Sequence, residues 1–313
     1  MEEGSREGAS DLVCPACRGA LERSCSALAC AACGKSFPVE EGIADFSERR
    51  YFDDHPDPAS LSEEARRGYE NENAGRRIED YYLPLLRSTG ARRVLDSGCG
   101  NGEAVDLLSE AGFEAWGHDL SAFRKWQWRD RERRDRLVVA DGLRLPFPDG
   151  YFDAVICSGV LEHVGVDERG APGIYEVAAL PDRDVRRAAF LAGLVRVVSP
   201  GGVLYLDFPN GAFPIDFWHG PSAGGARWHS PSEGFLPRVR EITTLARRIE
   251  PACGVSVLSP HRRLRFHQVG GHWYGRLFRF PMKAFYALMS VPGFTWLAAT
   301  ALNPYLVLKV RRR

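Results

Sequence analysis

The stretch Arg93-Val-Leu-Asp96-Ser-Gly98-Cys99-Gly100-Asn-Gly102 constrains the fold more than any other part of the chain. A short apolar run leads directly into alternating glycines. Ala104, Leu107, Leu108 and Ala111 then recur on one helical face, and Gly112 stands at the end. Strand, glycine loop and helix in that order let the backbone approach a nucleotide-like ligand, because no side chain blocks the way. The spacing argues against a dinucleotide fingerprint. Glu103 occupies the place where that pattern needs Gly or Ala, and Asp96 at the loop entrance would repel a pyrophosphate.

Three further segments extend the pattern. Glu114-Ala-Trp-Gly-His-Asp119 reads as a second strand ending in an acid 21 residues after Gly98, where a carboxylate can accept both hydroxyls of a ribose. Arg136-Leu-Val-Val-Ala140 reads as a third strand, and Asp141-Gly142 after it offers an acceptor for an adenine amino group. Leu145-Pro-Phe-Pro-Asp-Gly-Tyr-Phe-Asp-Ala-Val-Ile-Cys157 leads into a buried fourth strand. The loop Ser158-Gly-Val-Leu-Glu-His163-Val follows at its carboxyl end, where open α/β sheets bind ligands.

Together these residues resemble the class I S-adenosylmethionine-dependent methyltransferases. Asp96-x-Gly98-x-Gly100-x-Gly102 matches that family's first motif, and Val197-Val-Ser-Pro-Gly-Gly-Val-Leu-Tyr-Leu matches its fifth-strand turn. The resemblance implies an α/β fold: a seven-stranded Rossmann-like sheet with helices on both faces and a reversed last strand. It places Asp96 and the glycines Gly98, Gly100 and Gly102 beside the methionine part of S-adenosylmethionine. Asp119 goes to the ribose and Asp141 to the adenine, and Cys99, Leu120, Gly142 and Ser158 are further candidate cofactor contacts. His163 is the candidate base, since its loop ends where the methyl should point.

The amino-terminal part is a separate problem. Cys14-Pro-Ala-Cys17 and Cys30-Ala-Ala-Cys33 are two CxxC pairs separated by 12 residues. Each pair puts two thiolates on one tight knuckle, and two knuckles complete a tetrahedron for one structural zinc. Gly34 suits the knuckle turn, and Cys25 lies outside both pairs. A ribbon this small buries too little apolar area to fold alone, so metal binding supplies its folding free energy. From Leu12 to Phe46 the segment resembles the small zinc-ribbon activator subunits of tRNA, rRNA and release-factor methyltransferases. This resemblance implies a protein-facing or substrate-facing ribbon rather than a second active site.

These readings divide the chain into a disordered start (1–11), a zinc ribbon (12–47), a linker (48–68) and a methyltransferase domain (69–313). Leu61 to Leu86 is helix-permissive and carries Tyr69, Tyr81 and Tyr82. Positions 207–232 are rich in Gly, Pro and aromatics and read as a substrate-covering loop, with Asp216, His219 and His229 as candidate substrate contacts. Arg124 to Arg134 reads as a mixed-charge helix with a solvated face, and Glu233 to Glu250 as a further helix.

Net charge is +0, but from Arg227 to Arg313 there are 15 Lys/Arg against 3 Asp/Glu. That end, with Arg262, Arg263 and Arg265, suits an anionic substrate or a membrane surface. Ala284 to Leu308 holds no charged residue over 25 positions, but Pro292-Gly293 and Asn303-Pro304 interrupt it. The expectation is a lid or membrane-facing insertion over 272–303 followed by the final strand, with peripheral docking or a true span as alternatives. The start has no signal-peptide core, so a cytoplasmic, possible membrane-associated protein is expected.

The function expected is methylation, on O or N, of a small or lipid-linked, possibly anionic metabolite. The alternatives are an rRNA or tRNA base methyltransferase using the ribbon for RNA recognition, and a non-catalytic scaffold. Overall neutrality makes nucleic acid the weaker partner.

Overall fold

The computed structural model describes residues 8–47, 77–121, 123–171, 174–220, 226–230, 232–263 and 273–313. The 48–68 linker, Tyr69 and Arg265 lie outside the described residues. Two compact units result: Met1–Ile156 with Arg196–Gly202, and Cys157–Val195 with Val203–Arg313.

The first unit begins with five short strands: β1 (Gly8–Val13), β2 (Ala20–Arg23), β3 (Ala27–Cys30), β4 (Ser36–Glu40) and β5 (Ile43–Asp45). A π-helical turn (Ile78–Tyr82) buries Tyr81 and Tyr82 and runs into α1 (Leu83–Thr89). β6 (Arg93–Ser97), α2 (Glu103–Glu110), β7 (Glu114–Asp119), α3 (Phe123–Trp128), β8 (Leu137–Val139) and β9 (Phe152–Ser158) follow. The strands are hydrogen-bonded in the order β1-β2-β3-β4-β5-β8-β7-β6-β9. β6, β7 and β8 are parallel, with Asp96 beside Gly117 and Asp119 beside Val139. Their side chains are buried almost throughout, as parallel strands covered on both faces require.

The ribbon continues this sheet. β5 pairs parallel with β8 (Ala44 with Val138, Asp45 with Val139), and Phe46 N–H donates to Val139 O at 2.8 Å. β8 would otherwise be an edge strand with unpaired backbone groups, so the ribbon covers it. Lys125 of α3 fixes the join: its Nζ donates to Asp45 at 2.7 Å and Glu40 at 2.9 Å.

The mixed-charge segment is solvated as expected, with Arg129, Asp130, Glu132, Arg133 and Arg134 exposed, but its helix is shorter than expected. α3 stops at Trp128, whose ring is fully buried. Arg129 pairs with Glu41 at 3.3 Å, and Arg131 Nε donates to Asn101 O at 2.8 Å. These two pairings carry no periodic signal, because the partners, a ribbon turn and a glycine loop, are distant in sequence.

The second unit contains the hairpin β10 (Val166–Ala171) and β11 (Ile174–Ala179), most of α4 (Arg183–Val197), and the greater part of β12 (Val198–Pro209). After these come the two-residue ladder β13 (Ile215–Asp216) with β14 (Arg227–Trp228), α5 (Val239–Ile249), β15 (Gly254–Leu258), α6 (Trp273–Leu288) and β16 (Tyr305–Arg311). β16 runs antiparallel to both β12 and β15, so the last strand is reversed as expected. The seven strands of the expected sheet are thus β8-β7-β6-β9 in the first unit and β12-β16-β15 in the second.

α5 starts only at Val239, because Pro237 precedes it and Arg238 is extended (φ −117°, ψ 155°). The uncharged 284–308 stretch is shared by the end of α6, a 3-10 turn (Thr295–Ala299) and β16. Among the described residues no helix is long and apolar enough to cross a membrane.

Candidate active site

In the first unit, β6 delivers the glycine loop. Gly98, Gly100 and Gly102 have φ of 78°, 57° and 80°, a left-handed conformation that side chains resist. A Cβ on Gly102 would also lie 2.8 Å from Leu137 and 3.2 Å from Trp128. A Cβ on Gly100 would meet nothing nearer than the Arg124 guanidinium at 4.0 Å, so that backbone stays approachable.

Asp119, at the end of β7, takes the Gly100 N–H at 3.0 Å and the Ser121 N–H at 3.1 Å. It therefore ties the second strand to the loop and stays partly exposed. Leu120 beside it is half-buried. Trp128 Nε1 donates to Gly100 O at 2.8 Å and closes the loop from the other side.

Asp96 is fully buried and paired with Arg77 at 2.9 Å. Cys99 is buried, and its thiol pKa lies well above the usual range, chiefly through burial and then through the Asp119 and Asp96 charges. It is an inert wall, not a nucleophile. Asp141 caps the short turn Gly142–Arg144 by accepting the Leu143 N–H at 2.9 Å, and Gly142 is buried. Asp96, Gly98, Gly100, Gly102, Asp119 and Asp141 thus sit at the carboxyl ends of three adjacent parallel strands.

In the ribbon, Cys14 and Cys33 Sγ lie 3.6 Å apart, and Cys17 and Cys30 Sγ 3.5 Å apart. All four sulfurs lie within 4.8 Å of one another. A zinc at about 2.3 Å from four thiolates puts them about 3.8 Å apart, so the set fits the metal. Gly34 has φ 72° as the knuckle needs, but the matching place in the first knuckle is Arg18 at φ 62°. Gly19 is fixed by space: a Cβ there would sit 2.9 Å from Ala32 and within 3.3 Å of two of the sulfurs. Cys25 is exposed and stands apart from the four-cysteine group.

The second unit holds a polar cluster around His163. Its Nδ1 meets Glu168 Oε1 at 2.5 Å, and its ring stacks edge-on against His219 (5.2 Å) and Phe235 (5.6 Å). Burial disfavours its charged form. The Glu168 bond and the Glu162, Glu168 and Asp216 charges outweigh that, and the pKa rises above the ordinary histidine value. Glu162 is 1% exposed, its Oε2 has no hydrogen-bond partner among the described residues, and burial raises its pKa.

Asp216 is fully buried. It accepts the His219 Nδ1 at 2.9 Å, the backbone N–H groups of Trp218 and His219, and Arg227 Nε at 3.3 Å. Burial opposes its charge, but the His219 bond, the Trp218 N–H and Arg227 prevail and lower its pKa. His219 therefore joins His163, whereas His229 Nε2 bonds the Phe213 carbonyl and shapes the loop. Arg187, fully buried on α4, donates to the carbonyls of Glu162, Val164 and Phe235 and pairs with Glu241 at 3.1 Å. It fixes the His163 loop from beneath.

Ser158 lies elsewhere in that unit. Its hydroxyl donates to Asp207 at 2.7 Å and meets Arg263 at 2.6 Å. Asp207 also binds Arg263 (2.7 and 3.1 Å) and accepts the Tyr305 hydroxyl. Arg263 is thus an internal counter-ion with only 11% of its side chain exposed. Its expected role in attracting an anionic substrate is therefore corrected: the guanidinium is already taken by the carboxylate of Asp207, 56 residues away.

Glu168, Glu162, Asp207 and Arg187 were not singled out from the sequence. Glu162 had a signal, as the neighbour of His163. Glu168 depends on a hairpin that its own sequence, Val166-Asp-Glu-Arg-Gly-Ala171, does not announce by alternation.

Residues 95–206 match the family described as "Methyltransferase domain". This segment is similar to that family. The 27-O-demethylrifamycin SV methyltransferase of Amycolatopsis mediterranei is 31% identical over 180 residues, covering 55% of this chain and 53% of that protein. The demethylmenaquinone methyltransferase of Thermus thermophilus is 34% identical over 145 residues, covering 42% of this chain and 56% of that protein. The chain thus spans about half the length of these relatives. Among solved structures, a TehB-like S-adenosylmethionine-dependent methyltransferase from Corynebacterium glutamicum aligns over 82% of this chain and 100% of its own, at 16% identity and a TM-score of 0.46. The matched segment runs from Leu95 in β6, through the glycine loop, to Leu206 in β12, and includes both Asp119 and His163.

Proposed function

We propose that the protein transfers a methyl group from S-adenosylmethionine to a hydroxyl or amine of a small or lipid-linked acceptor. The observation that carries this reading is the tie between Asp119 and the left-handed glycine loop: a carboxylate held at the end of the second strand, beside a backbone stripped of side chains. S-adenosylmethionine supplies an electrophilic methyl on a sulfonium whose departure leaves a neutral thioether. Asp119, with Leu120 beside it, binds the ribose hydroxyls. Asp141 and Gly142 line the adenine. Asp96, Gly98, Cys99, Gly100 and Gly102 border the methionine part, and Asp96 is paired with Arg77. Ser158, the last residue of β9, is the remaining member of the proposed cofactor set.

On the acceptor side, His163 is the base. Glu168 holds Nδ1 and stabilises the ring once it has taken a proton, leaving Nε2 to meet the acceptor. Asp216 and His219 form a second carboxylate–imidazole pair in the acceptor pocket, and His229 orders its rim. The relatives' names support a small or lipid-soluble acceptor, since one acts on a rifamycin and the other on a demethylmenaquinone. The ribbon holds one structural zinc through Cys14, Cys17, Cys30 and Cys33.

Calorimetry tests the cofactor half. S-adenosylmethionine should bind and a nicotinamide dinucleotide should not. Asp119→Ala should weaken binding at least about tenfold, as expected for losing charge-assisted hydrogen bonds worth about 1.5–3 kcal/mol. Equal affinity of the two proteins would remove Asp119 from the site.

A further inference from the structure

α6 has two unlike faces. Met282, Phe285, Tyr286 and Met289 point inward and close a small core with Leu297, Ala298 and Val257. On the other side, Leu277, Phe280, Ala284 and Leu288, followed by Val291, are exposed. Their spacing of three or four residues makes one continuous apolar stripe. Beyond the helix, every residue from Ser290 to Trp296 is exposed, including Phe294. Phe280 is 76% exposed and Trp296 62%. A folded chain seldom leaves this much contiguous aromatic and aliphatic surface in water without a use for it.

The segment that carries this face is one-sided in charge. Residues 251–313 contain ten Lys/Arg and no Asp or Glu, and of the ten Arg263 and Arg312 are already paired, with Asp207 and Glu250. Lys283 is exposed on α6 itself, and Arg311 and Arg313 at the carboxyl terminus are accessible. A protein partner would meet the apolar stripe with matching apolar surface and would not require 63 residues to be cleared of acid. An anionic lipid surface accounts for both features: headgroups attract the cations, and the acyl boundary takes the aromatics. α6 has 16 residues and contains Pro281, so it can lie in the interface but not span a bilayer.

We propose that this carboxyl-terminal face docks the protein onto an anionic membrane surface, with Phe280, Phe294 and Trp296 entering the acyl boundary. The proposal goes beyond the methyl-transfer reading and holds whatever the acceptor is. It is tested by co-sedimentation of the full chain with sucrose-loaded vesicles of phosphatidylcholine, with and without phosphatidylglycerol. The protein should pellet with the anionic vesicles, less so at high salt, and hardly with the neutral ones. Phe280→Glu with Trp296→Glu should reduce partitioning at least about tenfold. Because both side chains are exposed, the melting temperature and calorimetric S-adenosylmethionine binding should not move. The milder Phe280→Ser, Trp296→Ser pair serves if the acidic variant is unstable. Failure to pellet, or equal pelleting of wild type and variants, overturns the proposal. So does a concentration-dependent dimer in sedimentation velocity that the same substitutions abolish, which would assign the face to a second copy of the chain.

Discussion

Replacing Asp207 by Asn tests how the second unit is held together. The carboxylate is 1% exposed and accepts from four sources: the Ser158 hydroxyl, Arg263 Nε, Arg263 Nη2 and the Tyr305 hydroxyl. Tyr305 remains a donor there. Burial first, and the Asp207 charge after it, hold its phenol protonated far above the usual range against the opposing pull of Arg263. Asparagine keeps the shape but turns one acceptor oxygen into an NH₂ facing other donors. It also leaves the Arg263 guanidinium without its countercharge. Breaking one side of a buried pair costs about 3–5 kcal/mol. For a cooperative unit of this size that is a fall in melting temperature of about 6–20 °C.

Scanning calorimetry and circular dichroism read the effect. Arg263→Met alone should also destabilise, by stranding the carboxylate. The double variant Asp207→Asn, Arg263→Met should be more stable than the sum of the two, by at least about 1 kcal/mol of coupling. If Asp207→Asn melts within a degree or two of wild type, or the double variant is strictly additive, Arg263 is a surface cation after all and the reasoning fails.

Other predictions concern the metal and the base. Elemental analysis should find one zinc per chain. Cys14→Ser should lose it and unfold the ribbon, whereas Cys25→Ser should keep it; a zinc-free wild type with four freely titrating thiols would refute the assignment. Glu168→Gln should move the acidic limb of the kcat profile to lower pH. Glu168 favours the charged His163 ring, so its loss lowers the pKa and the neutral, proton-accepting ring appears sooner as pH rises. A limb that stays put, or moves to higher pH, would detach Glu168 from the base.

The sequence by itself determined the glycine loop, the acids that follow its strands and the composition of the ribbon. Alternating glycines, an acid at the end of each following strand and paired CxxC units are local patterns. Backbone geometry and ligand valence set the spacing of such patterns, so they survive without knowledge of the rest of the chain. Gly98, Gly100 and Gly102 are left-handed because the turn from β6 into α2 demands it, and no distant contact was needed to infer this.

Only tertiary structure decided what meets what. It laid β5 of the ribbon along β8 and gave Lys125 to Asp45, 80 residues away. It set Glu168 against His163 through an unannounced hairpin, and it turned Arg263 inward to Asp207. Each of these pairs charges or strands whose separation in the chain carries no periodic signal. A lysine in solution and a lysine in a salt bridge look alike in sequence, because the difference lies in the desolvation and geometry that the fold imposes on both partners at once.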